Sequence, residues 1–304
     1  MKLVVFLCVV ALVGVAVGSG RAGEPIAYDS NRFDWVPPSA PAAAYRLEET
    51  ADRHRVVFFP DERTVGSSAP VVVGFHGQPA RGKAPRDYAF AGQVLPVIDR
   101  LVREKRLPPL VLVLPTFRYV GENWPAFDLR AFRNKVDGYL RNRNARFQAS
   151  AWLLFGHSGA AGCGGDGLNR PTRIGAGLQA VGFFDTCLGG GWREALAELE
   201  KSRVPVYDLR AVETAGFRPR QSPEYQSGFD FGRAWEPLGV RPVSCPARLP
   251  GKLKDRRFRC SASASGFIRA FALDTGEGAA AHEAMIAPAV EFFLTETLGG
   301  SAPD

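Results

Sequence analysis

A serine in a glycine-containing turn is the part of this chain whose setting most directly suggests chemistry. Ser158 lies in the run Phe155-Gly156-His157-Ser158-Gly159-Ala160, directly after the apolar stretch Ala151–Phe155. A short strand that breaks into Gly-x-Ser-x-Gly holds its serine on a sharp strand-to-helix turn, with the hydroxyl exposed above a parallel sheet. Ala160 stands where the pattern usually ends in glycine, and it is small enough for close packing. The segment therefore predicts a nucleophilic serine.

Strands and helices alternate along the chain around this serine. Strands are predicted at Arg55–Pro60, Pro70–His76, Leu110–Pro115, Ala151–Phe155, Ala180–Asp185, Val204–Val212 and Gly266–Leu273. Among them, Pro70–His76 is a nearly continuous apolar run and Leu110–Pro115 is another buried strand, as expected for strands covered on both faces. Apolar residues at helical spacing occur within Asp87–Arg106, Phe127–Arg141, Trp192–Leu199 and His282–Leu298. This alternation predicts an α/β fold: a three-layer sandwich with a mainly parallel central sheet and helices on both faces.

With Ser158 at such a turn and the elements in this order, the chain resembles the α/β-hydrolase superfamily of serine esterases and peptidases, over roughly Val56 to Leu298. The resemblance implies the α/β-hydrolase fold and acyl transfer by a serine, a histidine and an acid. We expect no cofactor. We also expect no metal site, because the sequence has no Cys-x-x-Cys and its four histidines are scattered.

The resemblance implies an oxyanion hole made by two backbone amides. One comes from the residue after the nucleophile, here Gly159, and the other from the loop His76-Gly77-Gln78, at the end of an earlier buried strand. Gln78 would be the second donor, and His76 and Gly77 would line the substrate site. The alternative is an ordinary tight turn after a strand.

The resemblance also places the general base at His282, after the last strand and the glycine-bearing loop 274–278. A serine hydroxyl needs such a base, since it is a poor nucleophile at neutral pH. The alternative for His282 is a surface or capping role at a helix start. Of the other histidines, His157 is expected to shape the turn beside the serine.

The third member must be an acid that holds the imidazole in its useful tautomer. Glu213 follows the strand Val204–Val212 and occupies the acid loop of the family, so it is the first candidate. Asp185, at the end of the preceding strand, is the alternative, since some branches of the family use that position. Asp208 lies inside its strand and is expected in packing or a salt bridge.

Two longer stretches are expected near the site. Tyr119 and Trp124 lie in the segment Phe117–Phe127, which follows a strand at the same sheet edge and could wall the substrate site. The Pro/Gly-rich stretch 214–265 shows no clear periodicity and is predicted to be an irregular, lid-like insertion.

The N-terminus has the features of a secretory signal peptide. Lys2 precedes an apolar stretch from Leu3 to about Val17, which is followed by small residues. We predict a signal peptide at 1–22, an arm at 23–54 and a single α/β-hydrolase domain at 55–304. The protein would then be secreted or periplasmic, without stable membrane insertion after cleavage. An uncleaved N-terminal anchor is the alternative.

Four cysteines remain after the signal peptide, and an even number in an exported protein favours two disulfides. Four cysteines permit three pairings. We favour Cys163–Cys187, which would join the nucleophile helix to the next strand end, and Cys245–Cys260, which would brace the insertion. Free buried thiols are the alternative.

The formal net charge of +7 is a weak indication of a partner. The densest basic cluster, Lys252–Arg259, could attract an anionic polymer, or it could be a solvated loop face. Nothing beyond charge resembles a nucleic-acid-binding module, so no nucleic-acid partner is expected. The sequence makes no prediction of oligomeric state.

The favoured function is a secreted serine hydrolase that cleaves a carboxylic ester, on a small or polymeric substrate, through an acyl-enzyme. One alternative is a serine peptidase or amidase that acts on a cell-wall or extracellular polymer. The other is a non-catalytic binding protein of the same fold with an incomplete triad.

Overall fold

The computed structural model describes residues 45–50, 54–77, 90–115, 128–161, 168, 177–186, 192–211, 239–244, 258–273 and 282–301. Its strands are β1 Arg46–Glu49, β2 Arg55–Phe59, β3 Ser68–Phe75, β4 Leu110–Leu114, β5 Gln148–His157, β6 Leu178–Phe184, β7 Val206–Ala211, β8 Arg241–Val243, β9 Phe258–Ala262 and β10 Ile268–Leu273. Its α-helices are α1 Glu62–Val65, α2 Phe90–Arg103, α3 Leu129–Arg143, α4 Trp192–Lys201 and α5 Ile286–Leu298, and a 3₁₀ helix spans Ser158–Ala161.

All ten strands form one sheet, in the order β1-β2-β4-β3-β5-β6-β7-β10-β9-β8. The six central strands, from β4 to β10, are parallel to one another. The flanking strands β1, β2, β9 and β8 pair antiparallel. The strands of the parallel region are buried on both faces, which explains their continuous apolar sequences.

Two hydrophobic cores cover the two faces of the sheet. On one face α3 and α4 pack on side chains such as Val73, Leu154 and Val206. On the other face α2 and α5 pack on alternate residues of the same strands, among them Val72 and Phe155. Because successive side chains of a strand point to opposite faces, one strand supplies both cores. The predicted three-layer α/β sandwich is confirmed.

A local cap and two long-range ion pairs help to place two helices of the sandwich. Asp128 caps the start of α3, and its carboxylate accepts a hydrogen bond from the amide of Ala131 at 2.9 Å. Helix α5 is joined to the end of α2 through Glu291, which accepts from Arg100 at 2.6 Å and Arg106 at 2.9 Å. These contacts add to the apolar packing of α5, the helix that follows His282.

The sheet is wider than the sequence predicted. Arg46–Glu49, expected within the N-terminal arm, forms β1, and the predicted insertion 214–265 contains β8 and β9. These flanking strands lie toward the sheet margins, where burial is less complete, so β1 and β8 lack the long apolar runs of the centre. The predicted signal peptide and residues 23–44 of the arm lie outside the described part of the chain. Within the described residues, no helix is long and apolar enough to cross a membrane.

Candidate active site

The candidate site lies where the carboxyl ends of the parallel strands meet. Phe75 at the end of β3 is level with Gly156 of β5, and His157 at the end of β5 is level with Phe184 of β6. The next residues along the three strands are His76, Ser158 and Asp185. Because neighbouring parallel strands end at the same edge, these three chain segments leave the sheet side by side.

Ser158 has the backbone strain that a nucleophile turn requires. Its φ is +57°, in the left-handed region that residues other than glycine rarely adopt. The turn closes tightly: a Cβ on Gly156 would lie 2.7 Å from the Cβ of Ala160. Glycine at position 156, the first of the pattern, therefore leaves just enough room for alanine at position 160, the last. A side chain at position 156 would collide with that of Ala160.

Asp185 and His282 form a buried hydrogen-bonded pair beside this turn. Nδ1 of His282 lies 2.5 Å from Oδ2 of Asp185. The Asp185 carboxylate is fully buried, and His282 is only 5% exposed. A carboxylate is an acceptor, so the imidazole donates from Nδ1, and in its neutral form the lone pair lies on Nε2. This is the tautomer that a general base for serine needs.

The backbone of Asp185 is held in an unusual conformation directly after the end of β6. Its φ is +46°, and its amide donates to the carbonyl of Leu209 on β7 at 2.7 Å. Asp is among the residues that tolerate this region best. Within the described part of the chain, Oδ1 of Asp185 and Oγ1 of the neighbouring Thr186 are buried without a hydrogen-bond partner.

His157 connects the turn at Ser158 to His282. Its Nε2 lies 3.0 Å from the backbone carbonyl oxygen of His282, and the two ring centroids are 4.4 Å apart with an interplanar angle of 37°. Burial lowers the pKa of His157 well below its usual range, and the nearby His282 adds to this effect. Since Ser158 is bonded to His157, this contact brings the serine and His282 into one neighbourhood.

His76 lies at the end of β3, next to the turn. Its Nδ1 donates to the carbonyl of Gly77 at 2.7 Å. Burial lowers the pKa of His76 to about 4, although the hydrogen bond to Gly77 acts in the opposite direction. A neutral His76 therefore borders the site at neutral pH.

Several predicted site residues lie outside the described part of the chain: Gln78, Glu213, Tyr119, Trp124, Cys163, Cys187 and Cys245. Cys260 is buried on β9, and the two disulfides stay a prediction. Asp208 points into the protein and pairs with Arg210 at 2.6 Å, which confirms the expected salt bridge. Among the described residues, no group of three or more His, Cys, Asp or Glu side chains is arranged to hold a metal ion.

The structure adds one residue that the sequence analysis assigned only to the shape of the turn. The hydrogen bond from His157 to His282 joins residues 125 positions apart. The only signal in the sequence was the position of His157 directly before Ser158.

No protein-family model matches the chain, and no curated protein matches it. Solved structures similar to it include a ferulic acid esterase, at 13% identity over 84% of this chain and 97% of that one, with a TM-score of 0.48. An S-formylglutathione hydrolase from Agrobacterium tumefaciens shares 12% identity over 84% of this chain and 94% of that one, with a TM-score of 0.47. A siderophore hydrolase, EstA from Aspergillus nidulans, shares 14% identity over 87% of this chain and 99% of that one, also at 0.47.

The fold is described by the chain's own geometry: a mainly parallel sheet between two helical layers, with a strained serine at the carboxyl end of a central strand. This is the α/β-hydrolase fold that the sequence resemblance implied.

Proposed function

We propose that this protein is a serine hydrolase that cleaves carboxylic esters, with Ser158 as nucleophile, His282 as general base and Asp185 as the acid of the triad. The observation that supports this most is the buried hydrogen bond between Asp185 and His282, next to a serine held at positive φ. A buried carboxylate on Nδ1 of an imidazole is the arrangement that prepares Nε2 to accept a proton.

Asp185, rather than Glu213, is the acid in this proposal. One oxygen of Asp185 already accepts from Nδ1 of His282, so that ring nitrogen's single hydrogen is committed. A second carboxylate is not needed to set the tautomer. Glu213 follows β7, one strand further from Ser158 than β6, which ends at Asp185.

In the proposed reaction, Nε2 of His282 takes the hydroxyl proton as the oxygen of Ser158 attacks the substrate carbonyl. The C–O bond to the leaving group breaks when the tetrahedral intermediate collapses, and His282 gives the proton to the departing alkoxide. Water then attacks the acyl-enzyme with the same assistance, which releases the acid and restores Ser158. Throughout, Asp185 stabilises the imidazolium without becoming protonated.

The oxyanion would be stabilised by backbone amides. The amide of Gly159 lies in the first turn of the 3₁₀ helix Ser158–Ala161, where N–H groups have no partner within the helix. The amide of Gln78, after His76 and Gly77, is the proposed second donor. Loss of one such donor costs about 3 to 4 kcal/mol of transition-state stabilisation in other enzymes.

We propose an ester as the bond that is cleaved, because its cleavage requires less assistance to the leaving group than cleavage of an amide. The alkoxide of an ester is a better leaving group than the nitrogen of an amide, which must be protonated before the C–N bond breaks. From the features of the N-terminus we also propose that the enzyme is exported. In an exported protein the four remaining cysteines would form two disulfides, Cys163–Cys187 and Cys245–Cys260.

Hydrolysis of p-nitrophenyl esters of graded acyl length, measured beside aminoacyl p-nitroanilides, tests the function. We expect turnover of short esters, with a burst of nitrophenol equal to the enzyme concentration if deacylation is slower than acylation. Ser158→Ala, with an unchanged circular dichroism spectrum, should abolish it. Faster cleavage of the anilides would favour the peptidase, and a folded protein inert towards both panels would favour the binding protein.

A further inference from the structure

We propose that His157 is a positioning residue that holds His282 in reach of Ser158, through a hydrogen bond from its Nε2 to the backbone carbonyl of His282. This inference rests on the proposed function and adds a fourth side chain to its machinery. His157 does not touch the reacting atoms; it acts through the backbone of the general base.

The contact joins the two parts of the site that the chain itself keeps far apart. His157 ends β5 and precedes Ser158, whereas His282 follows β10, three strands away in the sheet. The bond between His157 Nε2 and His282 O measures 3.0 Å and is buried. This hydrogen bond directly connects the backbone of the proposed base, His282, to the residue that precedes the proposed nucleophile, Ser158.

The donor in this bond is fixed by chemistry. A carbonyl oxygen only accepts, so the proton of the His157 ring lies on Nε2. The ring is fully buried and therefore neutral near pH 7, as its lowered pKa indicates. A neutral ring beside His282, at a centroid distance of 4.4 Å, does not oppose the positive charge that His282 acquires during acyl transfer.

The described contacts hold His282 at two different points. Asp185 sets the rotation and tautomer of the imidazole through Nδ1, and His157 sets the position of the backbone through the carbonyl. A base fixed only at its ring could still shift with its own backbone. A displacement of about 1 Å between reacting groups can cost on the order of 100-fold in rate.

A buried histidine satisfied by a carbonyl could instead serve stability alone, so the test needs a donor-matched pair of variants. His157→Gln places an amide N–H close to the position of Nε2. His157→Met has a side chain of similar length and volume but cannot donate. Both lose the ring, so an effect of packing should appear in both, whereas an effect of the hydrogen bond should appear only in the methionine variant.

For each variant we would measure kcat and KM on the best p-nitrophenyl ester, the second-order rate of inactivation by a fluorophosphonate, and the thermal midpoint. His157→Met should lower kcat and the inactivation rate by about 10- to 100-fold with KM changed by less than about threefold. His157→Gln should recover most of this loss. Equal losses in the two variants, or a methionine variant within about twofold of wild type, would overturn the proposal.

A measurement on the wild type keeps the proposal testable if neither variant folds. Imidazole nitrogen NMR of 15N-histidine-labelled protein should show His157 neutral and protonated at Nε2 across the pH range of activity. A His157 protonated at Nδ1 would exclude the hydrogen bond. Loss of fluorophosphonate labelling in Ser158→Ala reports on the proposed function independently: a wild type that is not labelled refutes that function, whereas labelling that is indifferent to His157→Met refutes only the positioning role.

Discussion

Asp185 and His282, 97 residues apart in the chain, share a buried hydrogen bond of 2.5 Å at the carboxyl edge of the sheet. The bond sets Nδ1 of His282 as a donor and, in the proposed mechanism, leaves Nε2 to act as the base. It supports Asp185 over Glu213 as the proposed acid, a choice that depends on which strand end faces the start of the last helix.

The two acids should respond differently to the loss of charge. Asp185→Asn keeps a residue that tolerates positive φ, so the fold should persist, but the neutral amide permits the wrong tautomer of His282. We expect kcat to fall by roughly 10³- to 10⁴-fold, as removal of the acid does in other triads. Glu213→Gln should stay within about threefold of wild type in the same ester assay. The reverse ranking would transfer the acid to Glu213.

Stability should fall on acidification because of buried histidines. The pKa of His76 is lowered to about 4 in the folded state, whereas an unfolded histidine titrates near its ordinary pKa of 6.5. Between these values the unfolded chain binds a proton that the folded state does not, so the free energy of unfolding decreases as the pH falls from 6.5 to 4. His76 alone should contribute about 3 kcal/mol to this decrease, and His157 acts in the same direction.

Urea unfolding at pH 7, 5.5 and 4.5 measures this effect. His76→Gln is the matched variant, since it removes the titrating ring but keeps a polar side chain, and it should show a weaker dependence on pH than wild type. Identical pH dependence in the two proteins would mean that His76 is not buried and neutral.

The close packing of the nucleophile turn predicts a compensating pair. Gly156→Ala would place a Cβ 2.7 Å from that of Ala160 and 3.0 Å from Cδ1 of Leu168. We expect the free energy of unfolding to fall by about 1 to 3 kcal/mol, the usual cost of overpacking. The double variant Gly156→Ala/Ala160→Gly should recover part of that loss in the same denaturation experiment. Additive effects of the two changes would show that Ala160 does not limit the space.

Cysteine connectivity offers a separate check of the exported state. Peptide mapping without reduction should find Cys163 linked to Cys187 and Cys245 linked to Cys260 in protein purified from an oxidising compartment. Reduction should then lower the thermal midpoint, since each closed loop restricts the unfolded chain. Four cysteines that react with iodoacetamide before reduction would contradict both pairings.

Much of the fold and part of the site follow from local sequence. The central strands β3, β4 and β5 are apolar over most of their length because both faces are covered, and this pattern is visible without coordinates. Ser158 was predictable because the strained turn needs small residues nearby, and Gly156, Gly159 and Ala160 are visible in the sequence. The marginal strand β8 has three exposed residues, including Pro242, and so lacks an apolar pattern that would predict it.

The relationships across the site could not be predicted in the same way. Whether Asp185 or a later acid reaches His282 depends on strand order and on the conformation of the chain after each strand end. The hydrogen bond from His157 to the carbonyl of His282 depends on the same tertiary arrangement, and a carbonyl acceptor has no sequence signature. Both contacts become evident only when the strand ends are placed side by side.

The central claim is that Ser158 is a nucleophile activated by His282, and covalent labelling tests it most directly. Wild-type protein would be treated with a fluorophosphonate and examined by intact-mass spectrometry and peptide mapping, beside Ser158→Ala and His282→Gln of verified fold. The account predicts one phosphonyl group per chain, located on Ser158, absent from Ser158→Ala and formed far more slowly in His282→Gln. A folded wild type without an adduct, or an adduct that persists in Ser158→Ala, would contradict it.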